Sequence, residues 1–147
     1  MYLANLWKQS GHISLWRYTE NERNYPGWHL NADHAGCHSL QELVEALAAV
    51  GGGSRSVTLT APTKSQLGVP NNHSGRAAWL APSKLRVAYS ATPSEWSFPA
   101  GIEPAVLTIG SDWLSPLLEG IAGIPKGRGD YCIGGQGSEN LPLWFWW

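Results

Sequence analysis

The segment Trp28–His38 contains the side-chain types that most often bind metals or act as nucleophiles: three histidines, Asp33 and Cys37. Imidazole nitrogen and thiolate sulfur are the ligands that zinc prefers in tetrahedral sites. His34, Cys37 and His38 could therefore supply three ligands, and a metal-binding protein with zinc as cofactor is one hypothesis. Their spacing matches no established zinc pattern, however, and a second ligand pair is missing. The competing interpretation is a polar loop that leads into a helix.

Cys37 and His38 are also the residue types of a thiol nucleophile and its base. Partners of that kind are usually distant in sequence, because adjacent residues rarely reach the required geometry. A position just before a helix N-terminus would lower the pKa of Cys37. Cys37 and Cys132 are nevertheless interpreted as two reduced, mostly structural thiols, since one cysteine pair is not a disulfide framework.

Motifs that would identify an enzyme are missing from the sequence. It contains no serine-hydrolase G-x-S-x-G, no phosphate-binding G-x-x-x-x-G-K-[ST] and no dinucleotide-binding G-x-G-x-x-G. The glycine-rich stretches 126–130 and 134–137 are typical of turns. Glu95 and Glu103 flank the aromatic segment Trp96–Phe98, but a glycosidase needs two carboxylates at a fixed separation that sequence cannot supply. These observations favour a protein that is not an enzyme.

Composition excludes further classes. Charged residues make up 14% of the 147 residues, against about a quarter in typical soluble domains. The net charge is −1 and the basic residues are scattered singly, which disfavours nucleic acid and anionic membranes as partners. The N-terminus does not resemble a secretory signal, and no apolar run approaches the ~18 residues of a membrane span. We therefore expect a cytoplasmic protein whose low net charge favours association with another protein or with a second copy.

The clearest predicted element is a helix. Ser39 and Glu42 have the spacing of a capping box, in which each side chain binds a free backbone N–H of the first turn. Leu40, Leu43 and Leu47 then fall on one apolar stripe, and the glycines 51–53 end the helix. A second helix is predicted over 111–122.

Alternating apolar and aromatic residues predict the strands. They are 1–8 paired with 12–18, then 28–31, 55–60, 85–91, 95–98 and 105–109, and a final hairpin of 131–133 with 143–147. Residues 62–83 are predicted to be irregular. Strands and helices follow each other without βαβ regularity. The predicted fold is a single α+β domain over 1–147, with a mainly antiparallel sheet and two helices.

Two segments, Gly27–Leu43 and Asp130–Trp147, carry a resemblance. In them the chain resembles small bacterial proteins that include immunity proteins of polymorphic and type VI secreted toxin systems. The resemblance implies a small cytoplasmic protein that neutralises a cognate toxin by binding it directly. It transfers no functional residue to any position of this chain.

The leading hypothesis is a non-enzymatic module that binds another protein without a cofactor. Long polar loops carry recognition, so the loops 19–25 and 62–79 are the expected interaction regions. The candidate partner-binding residues are Glu20, Glu22, Trp28, Asp33, Trp79 and Trp96. A carbohydrate or small-ligand binder that uses exposed tryptophans such as Trp96 is the alternative, followed by the metal-binding protein.

Overall fold

Two mixed β-sheets and three α-helices make up the part of the chain described by the computed structural model, residues 4–129, 131–135 and 140–147. The elements are β1 (Ile13–Tyr18), β2 (Trp28–Ala32), α1 (His34–Val50), β3 (Ser54–Thr58), α2 (Lys64–Gly68), β4 (Trp79–Leu80), β5 (Lys84–Tyr89), β6 (Trp96–Ser97), β7 (Ala105–Ile109), α3 (Leu114–Gly123), β8 (Tyr131–Ile133) and β9 (Leu143–Phe145). The predicted α+β class is confirmed.

The two sheets differ in the number and order of their strands. One has the strand order β4-β1-β2-β9-β8 and the other the order β3-β5-β7-β6. Neighbouring strands are antiparallel except for the pairs β2–β9 and β5–β7. The parallel β2–β9 pair puts the aromatic end of the chain in the interior of the five-stranded sheet.

The main core lies between the sheets and the two longer helices. α1 packs against α3, and its predicted apolar stripe is buried in this core. Side chains alternate along the strands, as on β7, where Ala105, Leu107 and Ile109 face the core. On β1, Ile13 belongs to the main core whereas Trp16 belongs to a second, smaller cluster. The five-stranded sheet is therefore buried on both faces.

The start of α1 differs from the prediction. The helix begins at His34, six residues earlier, and its cap is Asp33, whose carboxylate accepts hydrogen bonds from Gly36 N (2.7 Å) and His12 N (3.0 Å). Ser39 is fully buried inside the helix and its hydroxyl accepts from Ser10 N instead (3.0 Å). Tertiary contacts with the segment before β1 thus decide which of two capping residues is used.

We expect Asp33→Ala to lower the free energy of unfolding by about 1–2 kcal/mol, because it removes the N-cap. Asp33→Asn should retain most of the stability, since an amide oxygen can accept the same bonds. Glu42→Ala should stay within about 0.5 kcal/mol of wild type. Chemical denaturation measures all three, and equal losses for the Asp33 and Glu42 alanine variants would contradict the assigned cap.

Two further predictions about local structure are wrong. Residues Ala4–Leu6 form a short 3-10 helix, not a strand, and β1 pairs with β2 and β4 instead. The region predicted to be irregular contains α2, a tight turn at Asn72–Gly75 and β4. Parts of the predicted first strand (1–3) and of the glycine-rich turns (130 and 136–139) lie outside the described residues.

Gln9 occupies the free edge of β3. Its side-chain amide donates to the carbonyl oxygen of Thr58 (2.7 Å) and accepts from the N–H of the same residue (2.8 Å). Arg55 binds the same N-terminal segment through the carbonyl oxygen of Trp7 (3.0 Å). The segment before β1 is therefore hydrogen-bonded both to α1 and to the edge of the four-stranded sheet.

Candidate functional site

The structure separates the three candidate zinc ligands. His34 and His38 lie on the solvent side of α1, where His38 pairs with Glu42 at 3.4 Å. Cys37 is buried, and its thiol donates to the carbonyl oxygen of Ala32 at 3.6 Å. Within the described residues, no three His, Cys, Asp or Glu side chains are arranged to hold a metal ion.

Both cysteines are free thiols. Burial, with a smaller contribution from the Asp33 carboxylate, raises the pKa of Cys37 to about 11. This is the opposite of the shift expected for a cysteine at a helix N-terminus, because desolvation outweighs the helix dipole. Cys132 is exposed on β8, and desolvation of the covered part of its thiol raises its pKa to about 11. Neither thiol is a thiolate at neutral pH, so neither is activated as a nucleophile.

The candidate partner-binding residues fall into two groups. Trp28 and Trp96 are 0% and 6% exposed and belong to the main core, and Asp33 caps α1. Glu20, Glu22 and Trp79 are exposed. The exposed three lie on the two loops that the sequence nominates, whereas the others stabilise the fold.

These two loops lie side by side, and residues 19–25 and 71–80 together form what we call the two-loop surface. The pairing of β1 with β4, which places Tyr18 opposite Trp79, brings them together. Thr19 N donates to Ala78 O (2.9 Å), and Ala78 N donates to the Glu20 carboxylate (2.8 Å). A third contact joins the Asn21 side-chain amide to His73 Nδ1 at 2.8 Å.

The backbone of the two-loop surface is strained. The described residues include four non-glycine residues with positive φ, and all four lie here: Asn21 (55°), Asn71 (55°), His73 (51°) and Ser74 (54°). Asn tolerates this left-handed conformation better than other residues do, but His and Ser adopt it at a cost of roughly 1–2 kcal/mol each. The hydrogen bond between Asn21 and His73 joins two of these positions across the loops.

A cluster of aromatic rings underlies the five-stranded sheet on the same side. Trp16, Tyr18 and Trp146 are buried there with Leu67 and Ala77, and Tyr25 and Trp144 pack against them. His29 lies within this cluster, stacked on Trp16 at 5.7 Å and on Trp146 at 6.1 Å. The aromatic end of the chain thus contributes Trp146 to this cluster as a buried ring and Trp144 as a partly buried one.

His29 is fully buried and its proton is fixed in position. The Trp146 indole N–H donates to Nδ1 (2.9 Å), and because that group can only donate, Nδ1 carries no proton. Nε2 therefore carries the proton and donates to the Tyr25 carbonyl oxygen (3.2 Å). Burial lowers the pKa of His29 to about 3, against a smaller raising effect of the bond to Tyr25. The ring is neutral, and its hydrogen bond to Tyr25 joins β2 to the loop 19–25.

A second hydrogen bond from β2 holds α2, the helix that precedes the loop 71–80. Gln66 on α2 forms a capping box with Thr63 and donates its side-chain amide to Asn31 Oδ1 on β2 (2.8 Å). The Asn31 amide in turn donates to Trp146 O (2.9 Å). Hydrogen bonds from β2 therefore hold both Tyr25 of the first loop and the helix that precedes the second loop.

Two apolar side chains of the two-loop surface are partly exposed to solvent. Trp79 and Leu80 are each 38% exposed on β4, the edge strand of the five-stranded sheet. Glu20, Glu22 and Arg76 are exposed nearby on the loops. The surface thus has an apolar patch with polar and charged residues next to it.

Sequence reasoning found these loops but missed the residues that shape them, Asn21, Asn71, His73 and Ser74. The one recognisable signal in the sequence is the Asn71-Asn72 pair before Gly75, because Asn and Gly favour left-handed turns.

No protein-family model matches the chain, and searches of curated proteins and of solved structures found no match. No helix among the described residues is long and apolar enough to cross a membrane.

Proposed function

We propose that this chain is a non-enzymatic protein-binding module and that its partner docks on the two-loop surface. The observation that carries the proposal is the concentration of left-handed, non-glycine residues on these loops. Strained backbone persists where surrounding structure imposes it, and it clusters at recognition and catalytic sites. Here the hydrogen bond between Asn21 and His73 holds two of these positions, and the bonds of Thr19 and Glu20 to Ala78 hold the two loops together.

The chemistry of the surface supports a protein as partner. Protein interfaces combine an apolar centre with a polar rim, and Trp and Arg are the residues that most often dominate the binding energy. Trp79 and Leu80 provide the apolar centre, and Glu20, Glu22 and Arg76 provide charges of both signs. Such a mixture selects a partner by complementary charge and not by net charge.

The resemblance to immunity proteins suggests the kind of partner. Under this proposal the partner is a bacterial toxin, and the bound chain either covers the toxin's active site or locks its fold. A preformed, internally hydrogen-bonded surface suits this role, because little conformational entropy remains to be lost on binding.

Site-specific photo-crosslinking tests the proposal. A photoreactive amino acid at position 79 should crosslink the chain to one protein in a lysate of its source organism. The same group at position 86, on the exposed face of the four-stranded sheet, should not. With that protein purified, Trp79→Ala should weaken binding by about 30-fold or more, as expected for a hot spot of ~2 kcal/mol.

Arg86→Ala is the matched control for Trp79→Ala and should leave the affinity unchanged. Crosslinking from position 86 alone would place the interface elsewhere and overturn the proposed site. The lack of a crosslinked protein from either position would overturn the proposed function itself.

A further inference from the structure

A cleft of about 580 Å³ opens where the end of α3 meets β8 and the residues that follow β9. Its volume lies in the range of ~300–1,000 Å³ that is typical of small-ligand sites. Of the residues that the structure describes, four contribute side chains to its lining: Glu119, Arg128, Tyr131 and Trp147. The other described lining residues are glycines, at positions 120, 123, 127 and 129.

The absence of a side chain at Gly129 allows the Trp147 indole to pack against the backbone there and to line the cleft. A Cβ built on Gly129 would lie 1.8 Å from Cζ3 of the Trp147 ring, so any other residue would displace the indole. The ring nevertheless remains 52% exposed, and Tyr131 is 38% exposed. The cleft therefore contains two aromatic rings that are held in place but not covered.

The turn that carries Arg128 is fixed by its own backbone. Gly127 adopts the left-handed conformation (φ 74°) and donates its N–H to Ile124 O at 3.1 Å. Arg128 N donates to Gly123 O at 3.0 Å. Because the turn is already ordered, a ligand does not have to pay for ordering it.

Two charged side chains of the described lining are open to solvent. Glu119 and Arg128 are exposed, and neither forms a salt bridge within the described residues. Among the described lining residues the two charged side chains have opposite signs, so they give no preference for a cation over an anion. Carboxylate and guanidinium groups both form strong, paired hydrogen bonds with neighbouring polar groups.

We propose that this cleft binds a neutral saccharide, with a pyranose ring stacked on Trp147 and its hydroxyls hydrogen-bonded to Glu119 and Arg128. The C–H face of a pyranose is apolar and matches an exposed indole face, while its ring hydroxyls match planar charged groups. This site is independent of the two-loop surface. It also differs from the site expected around Trp96, whose ring is buried and donates its N–H to Leu141 O (2.9 Å).

Nuclear magnetic resonance of the tryptophan indole N–H groups tests the proposal on the full chain. The probes are methyl α-glucoside, methyl β-galactoside, N-acetylglucosamine and cellobiose, each titrated to about 50 mM. At least one should shift the Trp147 resonance in a saturable way, with a Kd in the range of about 0.1–10 mM. Trp147→Phe assigns that resonance. Glycine and inorganic phosphate, a zwitterion and an anion, should not shift it.

Variants then test the contacts. Trp147→Ala should abolish the binding, and Glu119→Gln or Arg128→Gln should weaken it by about 10-fold, as for the loss of one hydrogen bond to a charged group. Gly129→Ala should also abolish it by displacing the indole. Its matched control is Gly101→Ala, because nothing lies within 4 Å of a Cβ at that position.

The proposal is overturned if none of the four sugars shifts the Trp147 resonance. It is also overturned if phosphate or glycine shifts it as strongly as a sugar, which would indicate a site for charged groups. Trp79→Ala should leave sugar binding unchanged, so a failure of the docking site and a failure of the cleft can be told apart.

Discussion

We expect the free energy of unfolding to fall as the pH is lowered below 6.5, because His29 is buried in its neutral form. The pKa of this imidazole is lowered to about 3 by burial, whereas in the unfolded chain it is 6.5. Between these two values the unfolded chain binds a proton that the folded chain does not. The contribution of neutral His29 to the free energy of unfolding is therefore fully present above pH 6.5. It is lost as the pH falls towards 3, by about 1.4 kcal/mol per pH unit and by about 4–5 kcal/mol in all.

Protonation is unfavourable for a reason beyond desolvation. Nδ1 accepts the indole N–H of Trp146, so a proton placed there would face another donor. The Tyr18 and Tyr25 rings that face the imidazole provide no carboxylate that could stabilise the cation. For Tyr18, burial raises the pKa.

Denaturation midpoints of wild type and His29→Gln, measured from pH 7 to pH 4, check this prediction. The variant is less stable at pH 7 but should lose much less stability on acidification, because its side chain does not titrate. Carboxylates elsewhere contribute equally to both proteins and cancel in the comparison. His34→Gln removes an exposed imidazole and should follow the wild-type curve. Parallel curves for wild type and His29→Gln would contradict the assignment.

Trp28→Ala should cost about 3–5 kcal/mol of stability, as large-to-small changes of buried aromatic residues do. The indole is 0% exposed and stacks on Phe98 with the ring centres 5.1 Å apart. Its N–H donates to Pro99 O (3.1 Å), and the Arg17 guanidinium lies 5.9 Å from the ring centre. The substitution removes all three contacts and leaves a cavity between β2 and the segment after β6.

Thermal unfolding should show a fall in Tm on the order of 10 °C for Trp28→Ala. The matched control is Trp79→Ala, which removes the same side chain from a position that is 38% exposed and should cost clearly less stability than Trp28→Ala. Comparable losses for the two variants would mean that Trp79 is as much a part of the core as Trp28. If Trp28→Ala were as stable as wild type, the packing described for β2 would be wrong.

The elements that depend on local periodicity could be predicted from the sequence. The apolar stripe of α1 and the core-facing positions of β7 depend on spacing along one segment, and spacing is visible in a sequence. The loops 19–25 and 62–79 could also be nominated, because polar composition marks loops. Their adjacency could not, since it follows from the pairing of β1 with β4, two strands about sixty residues apart.

What could not be predicted depends on contacts between distant residues. Asp33 and Ser39 are both good capping residues, and the choice between them depends on the N–H of His12 and on Ser10. Trp28 is as hydrophobic as Trp79, yet one is buried and the other is open. The cleft depends on Gly129 and Trp147, whose contact requires β9 to lie next to β8.

The amide of Gln9 has a consequence for how copies of this chain behave towards each other. β3 is the longest strand at the margin of either sheet, and an unoccupied margin is a template on which another chain can add a strand. By offering one donor and one acceptor to Thr58, the side chain fills the place that an incoming peptide group would take. We therefore expect this glutamine to disfavour the addition of another strand at the Thr58 end of β3.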